Sequence, residues 1–468
     1  MNTNYKNDVL HGYLAAICAV ASLGGLLFGF DTAVISGTVG MVKSQFGLTE
    51  LMVGWFTSSA LVGCIIGAMV AGALGDRFGR KPVLILGAAL FFISAFGSMI
   101  PPTFEILVSM RFVGGLGVGI ASVLAPLFIS EFAPPDSRGR LVALYQLSIV
   151  IGILIAYFSN WGLERYAALH PDAFGGSGFM HKVVAAQVWR AMFGAEMIPA
   201  GAFFLLLFMI PESPRYLIKS GLKDRGENIL ARIGGQHKAA QQRKEIETSL
   251  EHEQGSISEL FRPGLRVALM VGVGLSVFGQ LTGVNIVVYY GPSILEEVGF
   301  KLGGALQYQV LLGVINLVFT IVALSIIDRL GRRPLLIGGM AVVVLSLAAA
   351  GILFLTNAGS GLFVVVVLGI YMACVALSIC AVIWVLTPEI FPNRVRGRAM
   401  SIATLSNWAT NTLSAYLFPW YVGKFGLHAG FFTFAGICFI ATIFFWRFVP
   451  ETKGKSLEEI ERMWTAST

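Results

Sequence analysis

Charge is what this chain has least of. Only 13% of its 468 residues are Asp, Glu, Lys or Arg, while 56% are hydrophobic; a soluble globular protein carries about 25% charged residues. That composition excludes a water-facing surface over most of the chain and implies an integral membrane protein. The five cysteines (Cys18, Cys64, Cys374, Cys380 and Cys438) are scattered through apolar runs, at no spacing suited to a metal site or a disulfide framework. Neither a phosphate-cradling P-loop nor a nucleophile–base set is present, and His170, His181 and His237 fall in loops. The chain is therefore expected to be no enzyme, with no catalytic residue, metal or cofactor, and any transport it performs is passive or driven by an ion gradient. No cleavable signal peptide is expected either, because the first apolar run is too long and lacks a basic lead-in.

What is present is a succession of apolar segments. A membrane helix needs about 20 such residues, and twelve spans are expected near 11–39, 51–74, 82–101, 104–131, 139–162, 187–210, 264–295, 304–327, 334–356, 361–387, 398–421 and 427–449. Gly115-x-Gly117-x-Gly119 has no strand before it, so it is read as a close helix-packing surface and not as a dinucleotide loop. The loops after spans two, four, eight and ten carry Arg77, Arg80, Lys81, Arg138, Arg140, Arg329, Arg332, Arg333, Arg394, Arg396 and Arg398. The opposite loops hold only Lys43, Arg165, Lys182, Lys301 and Lys424. The positive-inside rule then places the first set and both termini in the cytoplasm. It also makes the net charge of +7 a matter of topology, with no nucleic-acid partner.

The chain repeats itself. Gly75-Asp-Arg-Phe-Gly-Arg-Lys-Pro82 is echoed by Ile327-Asp-Arg-Leu-Gly-Arg-Arg-Pro334. Glu131 precedes Arg138-Gly-Arg by seven residues, as Glu389 precedes Arg396-Gly-Arg; Pro211-Glu-Ser is matched by Pro450-Glu-Thr. Two parallel halves follow: residues 1–210 as an N-terminal six-helix bundle and 264–449 as a C-terminal one. Residues 211–263 form a charged, helical cytoplasmic linker and 450–468 a cytoplasmic tail. The expected fold class is an all-α membrane protein of twelve transmembrane helices in two pseudo-symmetric halves.

Three ionisable residues sit inside the spans. Asp31, within Gly29-Phe-Asp-Thr-Ala-Val-Ile-Ser-Gly37, Arg111 and Glu196 all fall about 10–14 Å below the same surface at a 1.5 Å rise per residue. Such groups face the bundle interior and pair, so Asp31–Arg111 is expected as a pair with Glu196 as a third member. The pair reads either as a static tie between spans one and four or as a proton switch. Gln146, Gln280, Asn285, Asn316, Asn407 and Trp408 approach the membrane midplane. Amides donate and accept without charge and so suit a ligand rich in hydroxyl groups; they serve equally to cross-link helices.

The repeated Gly-Asp-Arg-x-Gly-Arg loops resemble those of the major facilitator superfamily. Pro211-Glu-Ser-Pro-Arg215, Gln280-x-x-Gly-x-Asn285 and Pro450-Glu-Thr-Lys-Gly454 resemble its sugar porter branch over essentially the whole chain. The resemblance implies alternating access, a sugar as substrate, and a monomer in the lipid bilayer of the inner or plasma membrane. It assigns sugar contact to the six midplane residues and to Trp384. It also implies a cytoplasmic latch of Asp76, Arg77, Arg80, Glu131 and Arg138, repeated as Asp328, Arg329, Arg332, Glu389 and Arg396. Proton-coupled members carry Asp at position 31 and facilitative animal members Asn, so a sugar–proton symporter is expected, with a facilitator as the alternative. Two departures stand out: Gly279 where the family has Gln, and Cys380-Ala-Val-Ile before Trp384 where it often has Gly and Pro. Ile153 and Asn407-Trp408 resemble the glucose facilitators, which makes a hexose the first expectation. A drug exporter is disfavoured because span five lacks a Gly-Pro-rich stretch, and a sugar sensor because only about 19 residues follow Val449.

Overall fold

A computed structural model describes residues 3–134, 137–251, 257–262, 265–356, 361–392, 395–455, 459–460 and 463–464. Arg394 lies outside them. Among the described residues there are helices and no strands, as a membrane demands of a chain whose backbone polar groups must pair within their own segment. In the first half, α1 is Thr3–Val34, α2 Glu50–Phe78, α3 Arg80–Met99, α4 Phe104–Phe132, α5 Arg138–Leu169 and α6 Trp189–Leu207. Three shorter helices follow: α7 Pro214–Lys219, α8 Lys223–Gly234 and α9 Gln236–Glu251. The second half holds α10 Leu265–Gln280, α11 Val284–Glu297, α12 Leu302–Leu330, α13 Arg332–Thr356, α14 Gly361–Val375, α15 Ala381–Glu389, α16 Arg396–Phe425 and α17 Leu427–Phe448.

Eleven helical segments among the described residues are long and apolar enough to cross a membrane, with α10–α11 and α14–α15 each forming one broken segment. The exception to the expected twelve is α16. It has 30 residues, but Ser406, Asn407, Thr410, Asn411, Thr412 and Ser414 dilute its hydropathy. Several of these hydroxyls turn back on the helix. Ser406, Thr410, Thr412 and Ser414 donate to carbonyls four residues earlier at 2.8–2.9 Å, which satisfies them without water.

The repeated loops turn on glycine. Gly79 between α2 and α3 has φ +102°, and Gly331 between α12 and α13 has φ +94°, a region that side chains disfavour. Glycine also sets the packing of α2 on α4. A Cβ at Gly63, Gly67 or Gly119 would run into the backbone of Phe112, Leu116 or Cys64 respectively, so the Gly-x-Gly-x-Gly segment of α4 is a packing surface, as read from the sequence.

Two compact units are present: Met1–Asp31, Gly63–Ile153 and Phe193–Gln254 in one, and Thr32–Val62, Leu154–Met192 and Gly255–Thr468 in the other. This division differs from the sequence repeat because one end of each of α1, α2, α5 and α6 belongs to the second unit. There Gly54 of α2 lies against the Tyr416 carbonyl of α16, and Trp55 meets Tyr416 edge-on at 6.5 Å. In the first unit, α7–α9 have a small core of their own around Ile218, Leu230 and Ala239. Arg243 ties α9 to Glu227 of α8 at 2.5 Å. In the second, Trp464 donates to the Ile390 carbonyl at 3.1 Å, holding the end of the tail against the end of α15.

Candidate functional site

Three groups of polar side chains stand out: the first two each lie within one unit, and the third occurs once in each unit. In the first unit Asp31, Arg111 and Glu196 are 2%, 2% and 1% exposed. Arg111 Nη1 donates to Asp31 Oδ1, and Nη2 donates to the Asp31 carbonyl at 3.3 Å. Phe193 lies under the guanidinium, 5.3 Å from ring centroid to carbon. Gly114 beside the pair makes room for Ser94: a Cβ there would run into Ser94 Oγ and come into ordinary contact, 3.6 Å, with Asp31 Oδ1. Glu196 occupies an interruption in α6, where Pro199 has no N–H to give the Ala195 carbonyl. Its Oε1 is buried with no hydrogen-bond partner, as is Arg111 Nε, and it feels the charges of both Asp31 and Arg111. Arg111 is thus paired with Asp31, and Glu196 is buried near enough to both to feel their charges.

The second group surrounds the break between α10 and α11. Gly283, at φ +83°, ends the first half-helix, and Thr282 Oγ1 caps the Gly279 carbonyl at 2.7 Å. Two of the predicted amides flank this break. Asn285 Nδ2 donates to Gln280 Oε1 at 2.6 Å, and Gln280 Nε2 donates to Asn407 Oδ1 of α16 at 3.1 Å. The neighbouring Trp408 is buried, while Trp384 on α15 is 44% exposed. A wide π-helical turn, Ala376–Cys380, separates α14 from α15, so the Cys380–Ile383 run follows a loosened helix. Asn316 is half-buried on α12, where it accepts from Thr320 at 3.5 Å, apart from the hydrogen-bonded amides. Gln146 is half-buried in the other unit.

Sequence reading missed the residues that hold α11. Pro292 lacks an N–H, which leaves the Val288 carbonyl free; the Tyr157 hydroxyl of α5 donates to it at 3.4 Å. Gln309 Nε2 donates to the Val287 carbonyl at 3.1 Å, and Asn411 Nδ2 to the Tyr289 hydroxyl at 3.0 Å. Asn411 was legible, being one helical turn from Asn407; Tyr157 carried no signal beyond being a buried aromatic. Tyr157→Phe strands a buried carbonyl, a loss of about 1–3 kcal/mol. It is expected to lower the thermal unfolding midpoint in detergent clearly below that of a surface control such as Lys244→Ala. A midpoint equal to the control's would show that the hydroxyl holds nothing.

The third group lies at the basic loops and appears twice. In the first unit Arg80 Nη1 meets Asp76 at 2.5 Å, and Arg80 Nη2 meets Glu131 at 3.3 Å. Ser213 donates to the other Glu131 oxygen. Glu212 accepts the N–H groups of Arg80 and Lys81, each at 3.2 Å, capping the start of α3. In the second unit Arg332 meets Asp328 at 2.9 Å and Glu389 at 3.0 Å. Thr452 donates to Glu389 at 2.6 Å. Glu451 accepts the N–H groups of Arg332 and Arg333 at 3.1 and 3.0 Å. Burial pushes the Glu212 carboxyl above its usual range despite these bonds. Burial opposes ionisation of Glu451 too, but the surrounding backbone N–H groups outweigh it and hold that carboxyl low.

The remaining predicted residues stand aside from these networks. Arg77 stacks over Phe78 at 5.2 Å, and Arg329 offers its carbonyl to Lys453 at 2.5 Å. Arg138 is exposed, and Arg396 donates to the Phe391 carbonyl at 3.2 and 3.3 Å. Among the described residues no ion pair joins Arg138 to Glu131 or Arg396 to Glu389. Glu212, Ser213, Glu451 and Thr452 take those places, and the Pro-Glu-Ser/Thr repeat was their visible trace.

Comparison with known proteins gives a consistent pattern. The family described as "Sugar (and other) transporter" matches residues 17–464. The chain is 39% identical to the arabinose-proton symporter of Bacillus subtilis (strain 168) over 97% of its own length and 95% of that protein. It is 38% identical to the D-xylose-proton symporter of Escherichia coli (strain K12), covering 100% of this chain and 98% of the relative. The inward open conformation of the xylose transporter XylE from E. coli superposes with a TM-score of 0.83 at 36% identity, over 97% of this chain and 100% of that one.

Proposed function

This chain belongs to the sugar transporter family, within the major facilitator superfamily, and from that premise we propose that it is a proton-coupled monosaccharide symporter working by alternating access. The observation that carries the coupling is the buried Asp31–Arg111 pair with the under-bonded Glu196 beside it. Ionised Asp31 holds Arg111; protonated Asp31 releases it, and Glu196 takes over or relays the proton. A static tie gains little from such a pair, since desolvation offsets the attraction. The relatives are named for arabinose and xylose, so a pentose takes precedence here over the hexose that Ile153 and Asn407-Trp408 suggest.

In this reading α16 is the twelfth span, its hydroxyls folded back on its own carbonyls. Residues 1–210 and 264–449 are the two bundles, residues 211–263 the cytoplasmic linker and 450–468 the cytoplasmic tail. The carrier works as a monomer in the inner or plasma membrane, with both termini cytoplasmic. Gln280, Asn285, Asn316 and Asn407 bind sugar hydroxyls while Trp384 and Trp408 cover its apolar face; Gln146 is assigned to the same task from its place in the sequence. The test is uptake into proteoliposomes of D-xylose, L-arabinose, D-glucose and D-galactose, with and without an inside-alkaline gradient. Accumulation that an uncoupler collapses is expected for at least one pentose. Equilibration without accumulation would make the protein a facilitator.

The two charged networks are proposed as latches that close the cytoplasmic side. Glu131→Gln removes the charge that Arg80 pairs with and weakens the Ser213 bond, and Glu389→Gln does the same to Arg332 and Thr452. Each variant is expected to raise the labelling rate of a cysteine placed at the cytoplasmic mouth several-fold, with sugar affinity little changed. An unaltered labelling rate would mean that these pairs are passive.

A further inference from the structure

Where α7–α9 meet the ends of α2, α4 and α5, the first unit holds a cavity of about 600 Å³, the size of a small-molecule site. Much of its wall is charged, and part of that charge is already spent. Asp76 takes Arg80 at 2.5 Å and Lys219 at 3.3 Å, and Glu131 is held by Arg80 and Ser213. Beyond these, Arg138 at the start of α5, Arg215 on α7 and Glu245 on α9 line the cavity. None of the hydrogen bonds or ion pairs among the described residues uses the Arg138 guanidinium, which offers a planar fork of N–H donors. Two guanidiniums set against one carboxylate favour an anion. The rest of the wall says what the anion carries. Gln242 brings an amide and Glu245 carboxylate lone pairs, both suited to hydroxyl groups, while Leu127, Leu230 and Ile246 give an apolar patch for C–H groups. Among the described residues Phe132 is the one aromatic in the lining, and at 2% exposed it presents no ring face for a nucleobase to stack on.

We propose that this cavity is a binding site for a sugar phosphate, with the phosphoryl group on Arg138, Arg215 and Lys219 and the sugar hydroxyls on Gln242 and Glu245. A phosphate monoester carries about two negative charges near pH 7, and guanidinium forks match its oxygens in pairs. Glu245 sets the direction of binding, because its charge repels a phosphoryl group and accepts from a hydroxyl. It also disfavours a second phosphoryl group on the same ligand. In the symport reading above this face is cytoplasmic, where phosphoryl transfer to an imported sugar makes such an ester; binding itself does not depend on that reading. Phosphatidic acid presents the same monoester from a lipid, so the test carries an arm for each source.

The measurement is binding of radiolabelled D-glucose 6-phosphate to the purified full-length protein in detergent, with D-xylose in excess to occupy the transport site. Saturable binding is expected, displaced by D-ribose 5-phosphate within about threefold and by inorganic phosphate, which lacks the hydroxyl-bearing body, about tenfold less well. D-Fructose 1,6-bisphosphate is also expected to be about tenfold weaker, and Glu245→Gln to recover most of that difference. Arg138→Gln and Arg215→Gln should each weaken binding about tenfold, the loss of one charge-assisted contact. Lys244→Gln removes an exposed cation that does not line the cavity and should change binding by less than about twofold. Arg138 is exposed, so its variant serves should Arg215→Gln fold poorly. In the second arm the thermal unfolding midpoint is followed with D-glucose 6-phosphate and with phosphatidic acid in mixed micelles. A rise with phosphatidic acid alone, lost in Arg138→Gln, assigns the cavity to a lipid headgroup and overturns the sugar phosphate. Absence of saturable binding overturns the inference too, as does binding that both arginine variants retain in full; either result leaves the transport reading untouched.

Discussion

Asp31→Asn is expected to give a carrier that exchanges sugar but cannot concentrate it. Asparagine keeps the shape of the side chain and a carbonyl oxygen for Arg111 Nη1, but it binds no proton between the two faces of the cycle. At one proton per sugar, a gradient of one pH unit is worth about 1.36 kcal/mol and supports up to about tenfold accumulation. The variant should hold the internal to external ratio near unity under that gradient, while counterflow between sugar-loaded vesicles continues at a rate comparable to the natural protein's. Its exchange rate should also lose most of the pH dependence that a titrating carboxyl confers. Retained accumulation in Asp31→Asn would move the coupling site elsewhere, Glu196 being the next residue to replace.

Arg111→Met should be the most damaging single change in the first unit. Arg111 is the cation that both buried carboxyl groups face, and Met fills much of the same space without charge. Removing one partner of a buried pair costs about 3–5 kcal/mol, because the other is left uncompensated. Thermal unfolding in detergent should fall steeply and transport should be lost. Combining it with Asp31→Asn removes one stranded carboxylate, so the double variant should regain a large part of the stability and none of the coupling. If Arg111→Met shifts the midpoint no more than an ordinary surface substitution, within about 0.5 kcal/mol, the pair is not the keystone of the unit.

How far the sequence speaks depends on whether a property is local in the chain. Asp31 and Arg111 were legible as a pair because depth along a straight helix is arithmetic. The break before Gly283 was not read, since residues 264–295 were expected as one span; the structure divides them into Leu265–Gln280 and Val284–Glu297. Glu212 and Glu451 showed as a repeat, yet their task stayed hidden, because capping a helix 131–132 or 118–119 residues upstream is a long-range fact. The same holds for Tyr157, whose hydroxyl matters only because Pro292, on another helix, frees a carbonyl. The span expected near 398–421 falls on α16, whose hydroxyls count as polar in any composition although the backbone of the same helix accepts from four of them.

The Pro-Glu-Ser/Thr caps carry a consequence for dividing the molecule. Each charged network is completed by a residue that follows the last long apolar helix before it in the chain: Ser213 reaches back to Glu131, and Thr452 to Glu389. A polypeptide cut after Glu251 therefore gives two fragments that each contain every member of their own network. A cut at Ile210 strips Glu131 and the start of α3 of their partners while leaving every apolar helix intact. Complementation between separately expressed halves is thus governed less by where the last span ends than by whether Glu212 and Ser213 stay with the first fragment.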